Sequence, residues 1–131
     1  MDFETIDSGQ GELPEDYKPH FQGEARMQRF ASPFGQRPAV FAVHFDAGAR
    51  TRPHVHRSGQ VLHIAAGRGI VATRAGRQVV LPGDVVTVEP DEWHWHGATP
   101  TTPMSHLTVQ VTEPGDIDWD VDEGDWAAGY G

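Results

Sequence analysis

The chain of 131 residues contains no cysteine and only one lysine, Lys18. Without cysteine it cannot form disulfides, thiolate metal sites or a cysteine nucleophile, and this composition is compatible with a reducing cytosol. No apolar run reaches the length of about 18 residues that a membrane-spanning helix requires. The acidic N-terminus lacks the apolar segment of a signal peptide. We therefore expect one cytoplasmic domain, since a chain of this length can bury its own core.

The formal net charge of −9 is concentrated at the two ends of the chain. Residues 1–16 carry six acidic groups and residues 113–125 carry seven, and neither segment contains Lys or Arg. The middle holds all ten basic residues and the remaining six acidic ones. Because this charge does not attract phosphates, we expect no nucleic-acid partner. The acidic ends are interpreted as mainly solvated segments. The C-terminal one also contains aromatic residues, among them Trp119 and Trp126, so we expect part of it to dock on the body of the protein or on a second subunit.

Short stretches rich in β-branched residues alternate with Gly/Pro turns through the middle of the chain, and no helical periodicity is evident. Residues 24–30 fit either a strand or a turn. The predicted strands are residues 40–45, 61–66, 69–73, 78–81, 85–88, 93–96 and 105–111. Many short strands with few helices predict an all-β sandwich or barrel.

Three histidines and one glutamine provide the strongest chemical signal. His54 and His56 are separated by one residue, Gln60 follows four residues later, and His94 lies further along the chain. Alternate residues of a strand face the same side, so His54 and His56 project together. Imidazole nitrogens suit Zn, Cu, Fe and Ni, and an oxygen ligand extends the range towards Mn. The set predicts a site for one divalent transition metal, provided that folding brings His94 alongside.

A second polar group lies on the last predicted strand. His106, Thr108 and Gln110 alternate with apolar residues and so share one face. Such a face lies either in a cavity or in solvent, and the periodicity alone does not distinguish the two. His96 has the same phase as His94, which predicts a place in the pocket or beside a metal ligand.

The side chains around the histidines are expected to have structural or solvent-facing roles. Trp93 and Trp95 alternate with His94 and His96, so they should pack on the opposite side of the sheet. Arg50 and Arg52 precede the first histidine pair. They are interpreted mainly as solvated charges, with recognition of an anionic substrate as the alternative.

Two motifs, in this order, resemble the two sequence motifs of the cupin family. The first is Gly48-(x5)-His54-x-His56-(x3)-Gln60-(x6)-Gly67, with glutamine where the family usually has glutamate. The second runs from Pro82-Gly83-Asp84 to Pro90-(x3)-His94. The resemblance implies a single-domain, cupin-type jelly-roll β-barrel of six to eight strands over residues 38–112. Residues 1–37 are then an N-terminal arm, and residues 113–131 an acidic C-terminal segment.

Further stretches, including His94-Trp95-His96-Gly97-Ala98 and Pro100-Thr101-Thr102, are similar to a subgroup of small bacterial cupins that includes manganese-dependent hydroxynitrile lyases. This resemblance implies manganese, with iron, zinc or nickel as alternatives, held by His54, His56, Gln60 and His94. It implies an acid–base role for His106. It also implies a substrate pocket to which Phe41, Val43, Thr51 and Gln110 contribute, together with His96.

The predicted function is a metal-dependent lyase that cleaves a small hydroxylated compound, such as a cyanohydrin, to a carbonyl compound. One alternative is a metal-dependent dioxygenase, although the neutral Gln60 does not offset the charge of a metal oxidised to the 3+ state. The other is a non-catalytic cupin that binds a small molecule. Small cupins of this kind often dimerise through N-terminal strands, so a homodimer is expected.

Overall fold

The computed structural model describes residues 1–35 and 37–129, and this part of the chain is built from β-strands. Only two short 3-10 helices, Lys18–His20 and Trp126–Ala128, occur among these residues. The strands are β1 (Phe21–Gln22), β2 (Ala25–Arg29), β3 (Ala39–Phe45), β4 (Arg50–Thr51), β5 (Val55–His56), β6 (Gln60–Gly67), β7 (Gly69–Thr73), β8 (Gly76–Val80), β9 (Val85–Val88), β10 (His94–Ala98), β11 (Met104–Gln110) and β12 (Ile117–Asp118).

The strands form two five-stranded antiparallel sheets, in the orders β1-β4-β10-β7-β8 and β2-β3-β11-β6-β9. Strands β12 and β5 form a separate two-stranded sheet. The expected all-β, single-domain architecture is confirmed. The strand count exceeds six to eight because β1, β4, β5 and β12 have only two residues each. The main core lies on the inner faces of the sheets and includes Phe41, Phe45, Leu62, Ile64 and Met104.

The two faces of strand β10 differ, because its histidines point to one side and Trp95 points to the other. Its neighbours in the sheet are β4 and β7, and all five of its residues are buried. Trp95 belongs to a second apolar cluster on the outer side, as the alternation with His94 and His96 predicts. Gly97 allows β4 to approach, because a Cβ there would lie 2.4 Å from the Ala49 carbonyl oxygen.

The barrel begins before residue 38, because β1 and β2 of the N-terminal arm are members of the two sheets. Strand β2 pairs with β3 along its whole length and buries Ala25 and Met27. Its outward-facing positions carry Arg26 and Gln28, so the segment lacks the β-branched residues from which a strand is predicted. The preceding segment is tied to β2 through two backbone hydrogen bonds between Glu12 and Met27.

Part of the acidic C-terminal segment docks on the barrel, as its tryptophans predict. We call these residues, 116–126, the C-terminal strap. Strand β12 within it pairs with β5, directly beside the histidine motif. Trp126, near its end, is buried in the outer apolar cluster. Four ion pairs join the strap to arginines of the body: Arg52–Glu123, Arg57–Asp118, Arg74–Asp122 and Arg77–Asp125. Opposite charges thus draw the chain end onto the barrel.

Arg50 is not a solvated charge, which corrects the expectation from sequence. It is 3% exposed, and its guanidinium lies over the rings of Trp95 and Trp126 at 5.0 and 4.1 Å from their centroids. Such cation–π contacts, together with a hydrogen bond to Gln22 Oε1, allow the charge to be buried.

No helix among the described residues combines the length and apolar character needed to cross a membrane.

Candidate metal centre and pocket

His54, His56 and His94 form a buried cluster at one end of the barrel interior. A ring nitrogen from each lies within 4.8 Å of those of the other two. The chain brings His94 to the motif through an antiparallel bridge, in which the backbone N–H groups of His54 and His94 each donate to the other's carbonyl oxygen. His56 follows on β5. The folding step that the sequence analysis required is therefore present.

The tautomers of two of these histidines follow from their hydrogen bonds. Nδ1 of His54 lies 2.8 Å from the Arg52 carbonyl oxygen, and Nδ1 of His94 lies 2.8 Å from that of Glu92. A carbonyl oxygen only accepts, so both Nδ1 atoms must carry the proton and both Nε2 atoms present lone pairs. The third histidine, His56, has no hydrogen-bond partner at either ring nitrogen among the described residues.

Burial keeps the cluster neutral. Desolvation, followed by the charges of its histidine neighbours, lowers the pKa of His54 well below 6.5. Desolvation also lowers the pKa of His56 to about 3 and lowers that of His94. Neutral imidazole is the metal-binding form of histidine. These side chains are already neutral at pH 7, so they do not have to release a proton when a metal binds. Three buried lone-pair donors at this spacing fit a divalent transition metal.

Gln60 presents its amide oxygen to the cluster. Its Nε2 donates to Gln110 Oε1 at 2.7 Å and to Thr108 Oγ1 at 3.2 Å, which fixes the orientation of the amide. Gln60 Oε1 then lies 3.2 Å from His94 Nε2. With the His94 proton on Nδ1, two lone-pair atoms face each other, an arrangement that a shared cation would stabilise.

A cavity of about 30 Å³ adjoins the cluster, enough for roughly two water molecules. All five residues predicted for the pocket line it: Phe41, Val43, Thr51, His96 and Gln110. A larger groove of about 820 Å³ runs between the N-terminal arm and β2, but it contains none of the clustered histidines. The small cavity is the candidate site because, of the two, only it is lined by His54, His56 and Gln60.

His106 lies behind the cavity wall rather than on it. It is fully buried, and its Nε2 is 3.1 Å from His96 Nδ1. His96 lines the cavity, and its Nε2 has no partner among the described residues. Desolvation lowers the pKa of His106 to about 3 and that of His96 well below 6.5. The two form a neutral, hydrogen-bonded pair, with His96 in front.

Part of the cavity wall comes from segments that the sequence analysis left outside the pocket. These additional lining residues include Tyr17, Phe21, Met27, Ile117 and Trp119. The Trp119 ring stacks on His20, with centroids 4.4 Å apart and planes 7° from parallel, and lies 4.4 Å from His54. The signal was the presence of tryptophans in an acidic segment, because large aromatic rings are unfavourable in water. Their partners could not be assigned from the sequence.

Comparison with known proteins agrees with this architecture. The family model described as a cupin domain matches residues 41–110. An (R)-mandelonitrile lyase from Granulicella tundricola is 42% identical over 115 residues, which cover 86% of this chain and 84% of that protein.

Solved structures are also similar. A cupin-like protein from Thermotoga maritima superposes with a TM-score of 0.77 at 27% identity, over 98% of this chain and 99% of that one. A polyketide cyclase from Streptomyces resistomycificus gives a TM-score of 0.72 at 14% identity, over 95% of this chain and 89% of that one, and shares the fold alone. With the family model and the 42% identical relative, these matches show that the chain belongs to the cupin family, as a small single-domain member.

Proposed function

We propose that the protein is a metal-dependent lyase that cleaves a small cyanohydrin into a carbonyl compound and hydrogen cyanide. The observation that carries this proposal is the buried three-histidine cluster, which adjoins a cavity lined by His96, with His106 hydrogen-bonded to His96 from behind. The similarity to an (R)-mandelonitrile lyase over most of the chain supports the same reaction class.

In this proposal His54, His56 and His94 hold the metal, with Gln60 Oε1 as a fourth ligand. Manganese is the proposed metal, because a site with an amide oxygen beside imidazoles accepts it. When bound, the metal supplies a Lewis acid that favours the deprotonated form of a hydroxyl group. All four ligands are neutral, so they leave the full 2+ charge available to that oxygen.

The His96–His106 pair moves the proton. When His96 donates Nδ1–H to His106 Nε2, its own Nε2 presents a lone pair to the cavity, where it can accept a hydroxyl proton. His106 then holds the ring in this tautomer and stabilises the imidazolium that forms. The acid–base role implied for His106 is thus shared, with His96 contacting the substrate.

The proton and electron balance of the reaction is complete within this site. The hydroxyl proton passes to His96 Nε2, and the carbon–oxygen bond becomes a carbonyl as the carbon–carbon bond breaks. The bonding electron pair leaves with the cyanide carbon. His96 returns its proton to cyanide, so hydrogen cyanide and an aldehyde or ketone leave and the histidine pair is neutral again.

The cavity walls favour an aromatic or apolar substituent on the substrate. Phe41, Val43, Phe21 and Trp119 provide apolar and aromatic surface, whereas the polar groups lie on the histidine side. Binding pockets of this kind combine apolar lining with a few convergent polar groups. Since the cavity holds only about 30 Å³, the aromatic side chains must move to admit a substrate.

The test is cyanide release from mandelonitrile by manganese-loaded protein. We expect release above the background of free metal, and a loss of at least about a hundredfold in His96→Ala, the scale of a lost acid–base group. His63→Ala, at an exposed position on β6, is the matched control and should retain activity. Absence of release from protein with one bound metal per chain would reject the proposal. Oxygen uptake with phenols or diketones would instead indicate a dioxygenase.

We also propose that the chain forms a homodimer through the N-terminal arm. Phe3 is 91% exposed, and the arm runs beside β2, an edge strand of its sheet. An edge strand can pair with a strand of a second chain, and the exposed Phe3 side chain could then be covered in the interface. Light scattering should give about twice the chain mass, and Phe3→Ser should shift the equilibrium towards the monomer. A monomeric wild-type protein at high concentration would contradict the proposal.

A further inference from the structure

One of the three clustered histidines lacks the support that the other two receive. His54 and His94 each donate Nδ1–H to a backbone carbonyl. His56 Nδ1 has no such partner among the described residues. Asp116 Oδ2 lies 3.9 Å from this nitrogen, and it is likewise buried without a hydrogen-bond partner among the described residues. The two side chains are only 2% and 5% exposed.

Asp116 is fixed in place by its other polar groups. Its Oδ1 accepts a hydrogen bond from the Ser58 backbone N–H at 3.1 Å, and its carbonyl oxygen accepts one from the Arg57 N–H at 2.7 Å. The next residue, Ile117, is the strand partner of His56. The aspartate is therefore clamped to the two residues that follow His56, which leaves Oδ2 facing the imidazole.

A hydrogen bond between His56 Nδ1 and Asp116 Oδ2 would give both of these buried polar atoms a partner. A buried carboxylate oxygen without a donor is unfavourable, and so is a buried N–H without an acceptor. A rotation that closes the gap by about 1 Å gives an ordinary charge-assisted hydrogen bond. Metal-ligating histidines characteristically donate their second ring N–H to a carboxylate or a carbonyl oxygen.

We propose that Asp116 is a positioning residue of the metal centre, whose Oδ2 accepts the Nδ1–H of His56. This contact sets the His56 tautomer, so that Nε2 presents its lone pair to the metal, as in His54 and His94. It also places one negative charge behind a ligand set that is otherwise neutral. The C-terminal strap thereby completes a site whose ligands all lie in the barrel. The inference depends on the metal-binding part of the proposed function and not on the lyase reaction.

The test compares metal affinity in Asp116→Asn and Asp120→Asn. Asparagine at 116 retains an oxygen for the Ser58 N–H, but its NH₂ group cannot accept from His56. Asp120 is an exposed aspartate of the same segment, so its replacement makes the same change in net charge. By chelator competition, we expect Asp116→Asn to bind Mn²⁺ and Co²⁺ about 10- to 100-fold more weakly than wild type. Asp120→Asn should stay within about twofold, since an exposed charge contributes little.

Proton NMR of the Co²⁺-loaded protein separates positioning from general structural support. The wild type should show three slowly exchanging, shifted Nδ1–H signals, one for each ligand histidine. In Asp116→Asn only the His56 signal should move or exchange rapidly. The wild-type spectrum needs no variant, so the inference can be tested even if the variant does not fold.

Three outcomes would overturn the inference: only two such signals in the wild type, unchanged affinity in Asp116→Asn, or no metal bound at this cluster. Metal binding that depends on Asp116 in a protein without cyanide release would reject the lyase proposal and support this one. The two proposals therefore fail separately.

Discussion

Replacing Trp126 with alanine is expected to release the C-terminal strap from the barrel while the two sheets stay folded. The indole is 5% exposed and lies under the guanidinium groups of Arg50 and Arg52, at 4.1 and 4.6 Å from the ring centroid. Its N–H donates to the Thr51 carbonyl oxygen at 2.9 Å. Among the described residues of the strap, no other side chain combines such burial with both kinds of contact.

The expected magnitude follows from these contacts. Truncation of a buried tryptophan to alanine destabilises by about 3–5 kcal/mol, a range that includes the lost packing and the cavity. The exposed ion pairs of the strap contribute only about 0–1 kcal/mol each and cannot replace it. At about 1.4 kcal/mol per factor of ten, the undocked population of the strap should rise by roughly a hundredfold to several thousandfold.

Hydrogen exchange at the Arg57 amide measures this equilibrium, because that N–H donates to the Asp116 carbonyl oxygen of the strap. Protection there should fall by the same factor in Trp126→Ala, whereas amides in β11 should be unaffected. Trp126→Phe is the matched control: it retains an aromatic ring over the arginines but loses the indole hydrogen bond, worth about 1 kcal/mol, and the packing of the second ring, so its effect should be smaller than that of alanine. Unchanged Arg57 protection in the alanine variant would refute the assignment of Trp126 as the anchor.

Three further predictions concern the metal, the pH dependence of stability and the cavity. His54→Ala should lower the metal content measured by plasma mass spectrometry from about one equivalent per chain to near zero, whereas His63→Ala at an exposed position should not. Burial lowers the pKa values of His56 and His106 to about 3. Between pH 6.5 and 5 the unfolded metal-free chain thus binds protons that the folded chain does not, and its free energy of unfolding should fall as the pH falls, by up to about 1.4 kcal/mol per pH unit for each histidine. A flat profile in urea titrations would contradict this. Trp119→Ala should raise the ratio of activity on bulky over small cyanohydrins, and an unchanged ratio would show that the ring does not limit access.

The histidine cluster could be predicted from sequence because the residues that form it lie within two short motifs. The spacing of His54 and His56 places both on one face, and the two motifs report the turns that bring His94 across. Strands that have clear turn signals at both ends could also be predicted from sequence, and β7 and β9 have the predicted bounds. In each case a short window of sequence contains the residues that determine the structure.

The features that sequence analysis missed depend on residues far apart in the chain. Arg50 is buried because Trp95 and Trp126 meet beside it, 45 and 76 residues later. His106 lies behind His96 because of how two sheets pack, which no periodicity within one strand reports. Asp116 looked like one of many acidic residues in a tail, and only the pairing of β12 with β5 brings it to His56.

Strand β10 connects the candidate metal centre to the anchor of the strap. Its inward side chains, His94 and His96, belong to the centre and the cavity, and Trp95 between them faces outward to support Arg50, on which Trp126 stacks. The strap joins this anchor to the cavity wall, which Ile117 and Trp119 line. A change that loosens the outer aromatic cluster should therefore weaken metal binding without touching a ligand, because it releases the segment that carries the carboxylate facing His56. One anchor therefore holds both this part of the cavity wall and the carboxylate proposed to support His56.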